Sequence, residues 1–249
     1  MNNYMAVVEY DGTYYKGFQT QPGEVRTIQG ELIKVLSTVL KKFEDFSYSG
    51  RTDTGVHALN QVINFKTDKD LDLYKFKWQL NCLLPDDIGI REINLVGESF
   101  NSRRSARLRE YSYFIVNNNS CSVFLKKYSI LITRRLNLKL MKKAAKMFIG
   151  TKDFKSFCSK STKSQNTIST IREIYSFTIN KNKQDLIVFK IAANAFLYNM
   201  ARIIVGTVLE VGSNQRKLES IKEAILKKDR RLSGEIVPAK GLFLTKVEY

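Results

Sequence analysis

The sequence predicts an α+β protein in two halves, residues 1–105 and 106–249, each running strand, helix, strand, strand, helix, strand. Three observations carry this prediction. Apolar residues alternate with period two in short stretches and recur at helical spacing in longer ones, and the two patterns succeed one another in the same order twice. The hydrophobic fraction, 43% of 249 residues, is that of a chain with a packed core. Polar and glycine-containing turns separate nearly every pair of patterned stretches. The order is that of two ferredoxin-like units whose sheets can join into one, and RNA-recognition domains share it, but element order alone does not assign a function.

Residues 4–10 alternate as a strand. From 27 to 40, Ile28, Leu32, Val35, Leu36 and Val39 fall on one helical face, with Thr27 as the cap. A short strand at 46–48 leads into a polar loop, followed by a strand at 61–65. A helix at 73–83 stops ahead of Pro85, and 90–96 reads as a strand. The second half opens with a strand at 110–116 and a helix at 136–149 ended by Gly150. Strands at 171–179 and 186–192 flank the polar turn 180–184. A long apolar helix at 195–211 ends at Gly212, an extra helix spans 215–228, and a last strand covers 242–247. The Ser-, Lys- and Thr-rich loop 156–170 is polar enough to be mobile or to meet RNA.

Charge narrows the function. With 41 Lys and Arg against 24 Asp and Glu, the net charge is +17. Such a surplus calls for a polyanionic partner, nucleic acid before an anionic membrane surface, although a lysine-rich proteome produces the same surplus. No apolar run reaches the ~20 residues of a membrane span, and the opening MNNYMAVVEYDG lacks the order of a signal peptide. Cys82, Cys121 and Cys158 are odd in number and far apart, which suits reduced thiols in the cytoplasm. His57 is the only histidine, and no cysteine pair has metal-ligand spacing. Neither a metal site nor a histidine-based triad is expected, so the chemistry falls to carboxylates, phenols or thiols.

Three stretches hold residues suited to such chemistry. In SGRTDTGVHALNQVINF, residues 49–65, Arg51 and Asp53 sit two apart in a turn before a strand. The ordinary role of such an aspartate is to bond its own backbone in the turn. In AFLYNMARIIVGTVLEVG, Arg202 lies in the middle of an apolar helix, where a guanidinium needs a carboxylate partner unless it reaches solvent. Asp53 is the carboxylate expected to meet it, which would hold that group ionised and aimed. In FNSRRSARLREYSYF, Arg103, Arg104, Arg107 and Arg109 precede an aromatic strand on which Tyr111 and Tyr113 share a face. Guanidinium groups suit phosphates and aromatic faces suit unstacked bases, so Arg103 and Arg107 are candidate RNA contacts; core packing is the ordinary role for the tyrosines.

These stretches, with YDGTYYKGFQTQP, NCLLPDDIGI and the terminal GLFLTKVEY, resemble the TruA-type tRNA pseudouridine synthases over about residues 4–249. The resemblance implies the pseudouridine synthase fold, a mixed and mainly antiparallel sheet flanked by helices with a central RNA-binding cleft. It implies isomerisation of uridine to pseudouridine in the tRNA anticodon arm at positions 38, 39 or 40, without a cofactor, by a homodimer that grips one tRNA. By the same resemblance Asp53 is the catalytic aspartate and Tyr111 stacks on the target base. Arg202 pairs with that aspartate, and Arg51 helps hold the nucleotide flipped out. Arg104, where relatives commonly carry an aromatic residue, and Thr54, where alanine is frequent, depart from the pattern without removing an acting group. A non-catalytic RNA-binding protein of two RNA-recognition-like halves is the alternative; a nucleic-acid hydrolase would need clustered metal ligands.

Overall fold

The structure, a computed structural model, describes residues 1–159 and 169–249. The polar loop read over 156–170 therefore lies largely outside the described residues. In chain order the strands and helices are β1 (Asn2–Tyr10), α1 (Ile28–Leu40), β2 (Glu44–Tyr48), β3 (His57–Thr67), α2 (Leu73–Leu83) and β4 (Ile88–Val96). They continue with β5 (Leu108–Val116), β6 (Ile130–Leu131), α3 (Leu138–Lys146), β7 (Gly150–Asp153), β8 (Ile171–Lys181) and β9 (Leu186–Ala193). The last are α4 (Met200–Gly212), α5 (Ser220–Lys227) and β10 (Leu242–Glu248). Among the described residues, no helix is long and apolar enough to cross a membrane.

The chain divides into two compact units, one of Met1–Arg107 with Phe243–Tyr249, the other of Leu108–Leu242. In the first, the strands lie in the order β4, β1, β3, β10, with β2 paired to β3. β1 runs antiparallel to both β3 and β4, and β10 runs parallel to β3 through Phe243 opposite His57. Ala6, Ile63 and Phe65 of the sheet converge with Leu32, Val35 and Leu36 of α1 and Leu80 of α2, leaving only a small internal void. Burying a side chain such as Phe65 contributes about 1.5–3 kcal/mol. The helix starts are set locally. The Thr27 hydroxyl accepts from the Gly30 amide at 3.2 Å, and the Asp72 carboxylate from the Lys75 amide at 3.1 Å.

In the second unit the strands lie in the order β5, β9, β8, β7, with β6 parallel to β5. Met141, Ala144 and Ala145 of α3 are buried, and the Asn137 side chain caps that helix by accepting from the Leu140 amide at 3.0 Å. Nearly every residue of α4 is buried, as its all-round apolar sequence requires.

Several boundaries differ from the sequence reading. α4 begins at Met200 rather than 195, because Asn199 ahead of it holds a left-handed backbone, φ 59°, that a helix cannot contain. The reading of 136–149 as one helix shortens to α3, and Gly150 opens strand β7 instead of only ending a helix. α5 covers eight residues where fourteen were expected, 215–228. The last strand, β10, pairs with β3 and is grouped, from Phe243 on, with the first unit.

Candidate active site

The first unit carries Asp53 in the connection from β2 to β3. Its backbone is held from several sides. The Ser49 amide donates to the Val62 carbonyl at 2.8 Å, the Phe18 amide to the Thr52 carbonyl at 3.0 Å, and the Val56 amide to the Asp53 carbonyl at 3.1 Å. Two glycines let the 12–17 segment approach this closely. A Cβ on Gly12 would stand 2.0 Å from the Val56 carbonyl oxygen, and Gly17, at φ +91°, packs against the Thr52 carbonyl. Thr52 is buried with its hydroxyl 2.7 Å from the Tyr10 phenol, while Asp53 is half-buried and Arg51 exposed. Burial pushes the Tyr10 phenol well above its ordinary range, against the opposing hydrogen bonds from Thr52 and Gln61, so it stays protonated. The turn thus buries Thr52, leaves Arg51 exposed and keeps Asp53 between the two.

His57, the first residue of β3, has no part in that outward face. It is buried and stacks on Phe243, ring centroids 4.5 Å apart. Its Nδ1 lies 3.1 Å from the Gly12 amide and 3.0 Å from the Asp11 carboxylate. The amide needs a lone pair on that nitrogen and the carboxylate needs a proton on it, so the two contacts are alternatives, set by which ring nitrogen carries the proton.

Arg103, Arg104 and Arg107 follow in the same unit, all exposed. The Asn101 side chain accepts from the Arg103 and Arg104 amides at 3.1 and 3.0 Å and donates to Ser47 Oγ at 3.0 Å, which fixes the segment's backbone against β2. Arg109 is different. Its guanidinium donates to the Asn194 carbonyl at 2.8 Å inside the second unit, while Arg103 and Arg107, the two candidate RNA contacts, are exposed.

The second unit carries Tyr111 and Tyr113 on β5, opposite Ile191 and Phe189 of β9. Both are buried, and their contacts separate them. The Tyr113 hydroxyl donates to the Pro238 carbonyl at 2.7 Å; burial raises that phenol, with the positive charge of Arg202 opposing. The Tyr111 ring meets Phe196 edge-on, centroids 4.9 Å apart and planes at 86°. Arg202, in the first turn of α4, is half-buried. Its Nε donates to the Val237 carbonyl at 2.8 Å and its Nη1 to Asn199 Oδ1 at 2.9 Å, while Asn199 Nδ2 donates to Ser159 Oγ at 3.0 Å. Two neutral oxygens of its own unit thus hold two of the guanidinium's nitrogens. In sequence Asn199 sits within an apolar run that reads as helix, and only its tolerance of the left-handed backbone found there marks it as a possible break.

Exposed arginines and a carboxylate on a cationic α+β scaffold suit a protein that acts on RNA, and comparison with known proteins gives the class. The chain belongs to the tRNA pseudouridine synthase family: the family model of that description matches residues 6–103 and 144–249. It is 44% identical, over the full length of both chains, to the tRNA pseudouridine synthase A of Thermoanaerobacter sp. (strain X514). It is 43% identical to that of Geobacillus sp. (strain WCH70), covering 97% of this chain and 96% of the relative. A protein of Bacillus thuringiensis subsp. konkukian (strain 97-27) described as tRNA pseudouridine synthase A 2 is 37% identical over the full length of both. The protein is thus an isomerase that acts on uridine in tRNA, and the reading as a non-catalytic RNA-binding protein falls away. The family model leaves out 104–143, the stretch that holds Arg104, Arg107 and Tyr111, but the full-length relatives span it.

Proposed function

We propose that the protein converts uridine to pseudouridine in the anticodon arm of tRNA, at position 38, 39 or 40, with Asp53 as the catalytic carboxylate. The observation that supports this most is the loop itself: a backbone pinned from several sides, with a half-buried carboxylate and an exposed arginine two residues apart. The reaction breaks the N1–C1′ bond and joins C5 to C1′; one proton leaves C5 and one reaches N1. Atoms balance within the nucleotide, so neither a cofactor nor an energy source is required. A carboxylate serves this chemistry by attacking the sugar or the base, or by taking a sugar proton. A uridine in a stem must first leave the stack, at a cost of a few kcal/mol. In this reading Arg51 fills the gap, Tyr111 stacks on the extruded base and moves a proton through its hydroxyl, Arg202 orients the acting groups, and Arg103 and Arg107 hold phosphates. Two copies of the chain act on one tRNA in the cytoplasm. The test is release of tritium from 5-labelled uridine in anticodon-arm transcripts in which only one of the three positions is uridine. Activity confined to positions outside the arm would overturn the assignment.

The charge distribution makes a second prediction. Between Glu110 and Asp153 the sequence has no acidic residue and nine lysines and arginines, so the surplus extends well beyond the arginine segment. Log affinity for tRNA is expected to fall linearly with log salt, with a slope reporting several phosphates. Arg103→Ala or Arg107→Ala should weaken binding to different tRNAs alike and reduce the slope by about one. Salt-independent affinity would contradict the phosphate role.

Tyr111 makes a third. Only 8% of it is exposed, so Tyr111→Ala leaves a cavity costing about 3 kcal/mol and confounds stability with function. Tyr111→Phe keeps the ring and its packing on Phe196 and removes only the hydroxyl. Turnover in that variant is expected to fall at least about 100-fold, as for loss of a proton-transferring group, with tRNA affinity unchanged. Parent-like turnover in Tyr111→Phe would leave the tyrosine a stacking role alone.

A further inference from the structure

Gln61 is a polar side chain with no exposed surface, set within β3. Burying a primary amide is costly unless its atoms are bonded, and here they are. Its Oε1 accepts from Ser49 Oγ at 2.6 Å and from the Val62 amide at 3.2 Å. Its Nε2 donates to the Gly50 carbonyl at 2.8 Å and, more weakly, to the Tyr10 hydroxyl at 3.4 Å. That hydroxyl lies 2.7 Å from Thr52 Oγ1. Ser49, Gly50 and Thr52 are three of the four residues that lead into Asp53, and the fourth is Arg51. Two buried side chains, one from β3 and one from β1, therefore hold the approach to the catalytic carboxylate on both sides of Arg51. The raised phenol keeps its proton, so Tyr10 can accept from Gln61 and donate to Thr52 at once.

We propose that Gln61, acting through Gly50 and through Tyr10 to Thr52, is a positioning residue for the isomerisation: it fixes the directions in which Arg51 and Asp53 leave the loop. The proposal rests on the reading of Asp53 as the catalytic carboxylate. An amide is the side chain the place requires, because it must accept from Ser49 and donate to Gly50 from one end group. Ionised glutamate would turn a second oxygen lone pair toward the Gly50 carbonyl. Protonated glutamate restores a donor there at nearly the same shape, and burial raises the pH at which it protonates.

The test compares parent, Gln61→Glu and Tyr10→Phe, measuring single-turnover isomerisation, tRNA affinity and melting temperature between about pH 5.5 and about pH 8.5. Relative to the parent at each pH, Gln61→Glu should be about 100-fold slower at the high end, the loss that follows a displacement of about 1 Å. It should recover most of that loss at the low end, while tRNA affinity stays within about threefold throughout. Tyr10→Phe deletes one oxygen and leaves the ring in place beside Phe18; it should be about tenfold slower at every pH. A purely structural role would lower the melting temperature while leaving the rate per folded molecule and its pH ratio untouched, and that result overturns the proposal. If Gln61→Glu does not fold, Tyr10→Phe decides alone, and parent-like turnover in it overturns the proposal. Isomerisation by Asp53→Ala would instead locate the error in the reading of Asp53. An inactive Asp53→Ala beside parent-like Gln61→Glu and Tyr10→Phe would refute the positioning role only.

Discussion

Asp53→Ala is expected to reduce pseudouridine formation to background while tRNA affinity stays within about tenfold of the parent, or about 1.4 kcal/mol. The two effects separate because different groups serve them. Asp53 carries the carboxylate, whereas the exposed arginines and the acid-free stretch that starts at β5 supply the attraction for phosphates. Removing a negative charge among phosphate-binding groups takes away some repulsion, so the affinity change is expected to lean toward tighter binding. The loop should survive the substitution. The hydrogen bond from the Val56 amide uses the Asp53 backbone carbonyl, and the clamps at Ser49 and Thr52 involve neighbouring residues. Asp53→Asn keeps the shape as well and should be equally inactive. Tritium release from 5-labelled uridine under single-turnover conditions reads the chemistry, and filter binding of the same tRNA reads the affinity. Pseudouridine formed by a folded Asp53→Ala protein at more than a trace would remove Asp53 from the mechanism.

Where residues next to one another in sequence decide the outcome, the structure was legible beforehand. α2 has the bounds that its helical pattern and Pro85 set, and α1 starts at the Thr27 cap because capping is a local hydrogen bond. Where distant segments compete, pattern reading failed. The apolar alternation of β10 marks a strand but carries no sign that it pairs with β3. The four-residue β7 has no apolar pattern, and it is held by pairing with β8. The start of α4 was placed too early because Phe196, Leu197 and Tyr198 prolong the apolar run into a segment that Asn199 breaks. The candidate site divides in the same way. Asp53, Arg51 and the arginine segment stand out because charges among turn residues are conspicuous. Gln61 and Tyr10 do not, because a glutamine in an alternating strand looks like one facing solvent, and its bonds to Ser49 and Gly50 exist only once β2 and β3 have paired. Nor does a sequence display the backbone carbonyl of Val237 as a partner for Arg202.

Arg202→Lys is expected to give a folded protein with turnover about 100-fold below the parent and tRNA affinity little changed, although charge and stem length are kept. The reason lies in the fork. Nε and Nη1 each hold a different oxygen, at 2.8 and 2.9 Å, so the plane of the guanidinium is fixed by two bonds in two directions. An ammonium is a single point that rotates freely about its stem; it can satisfy the Val237 carbonyl or the Asn199 amide but cannot fix a plane. Losing one hydrogen bond from a charged donor costs about 1.5–3 kcal/mol at most. In a chain of this size that lowers the melting temperature by roughly 3–12 °C. The apolar face of α4, with Ile203, Ile204, Val205 and Val208 fully buried, is enough to keep the helix in place. Asn199→Gly makes the complementary change, since glycine adopts the left-handed backbone freely while removing the acceptor at Nη1. It should slow turnover by less than Arg202→Lys, because the Nε bond survives. If Arg202→Lys turns over at the parent rate, the orientation of the guanidinium is irrelevant and only its charge acts. If Asn199→Gly is the slower of the two, Asn199 serves the reaction through Ser159 rather than through Arg202.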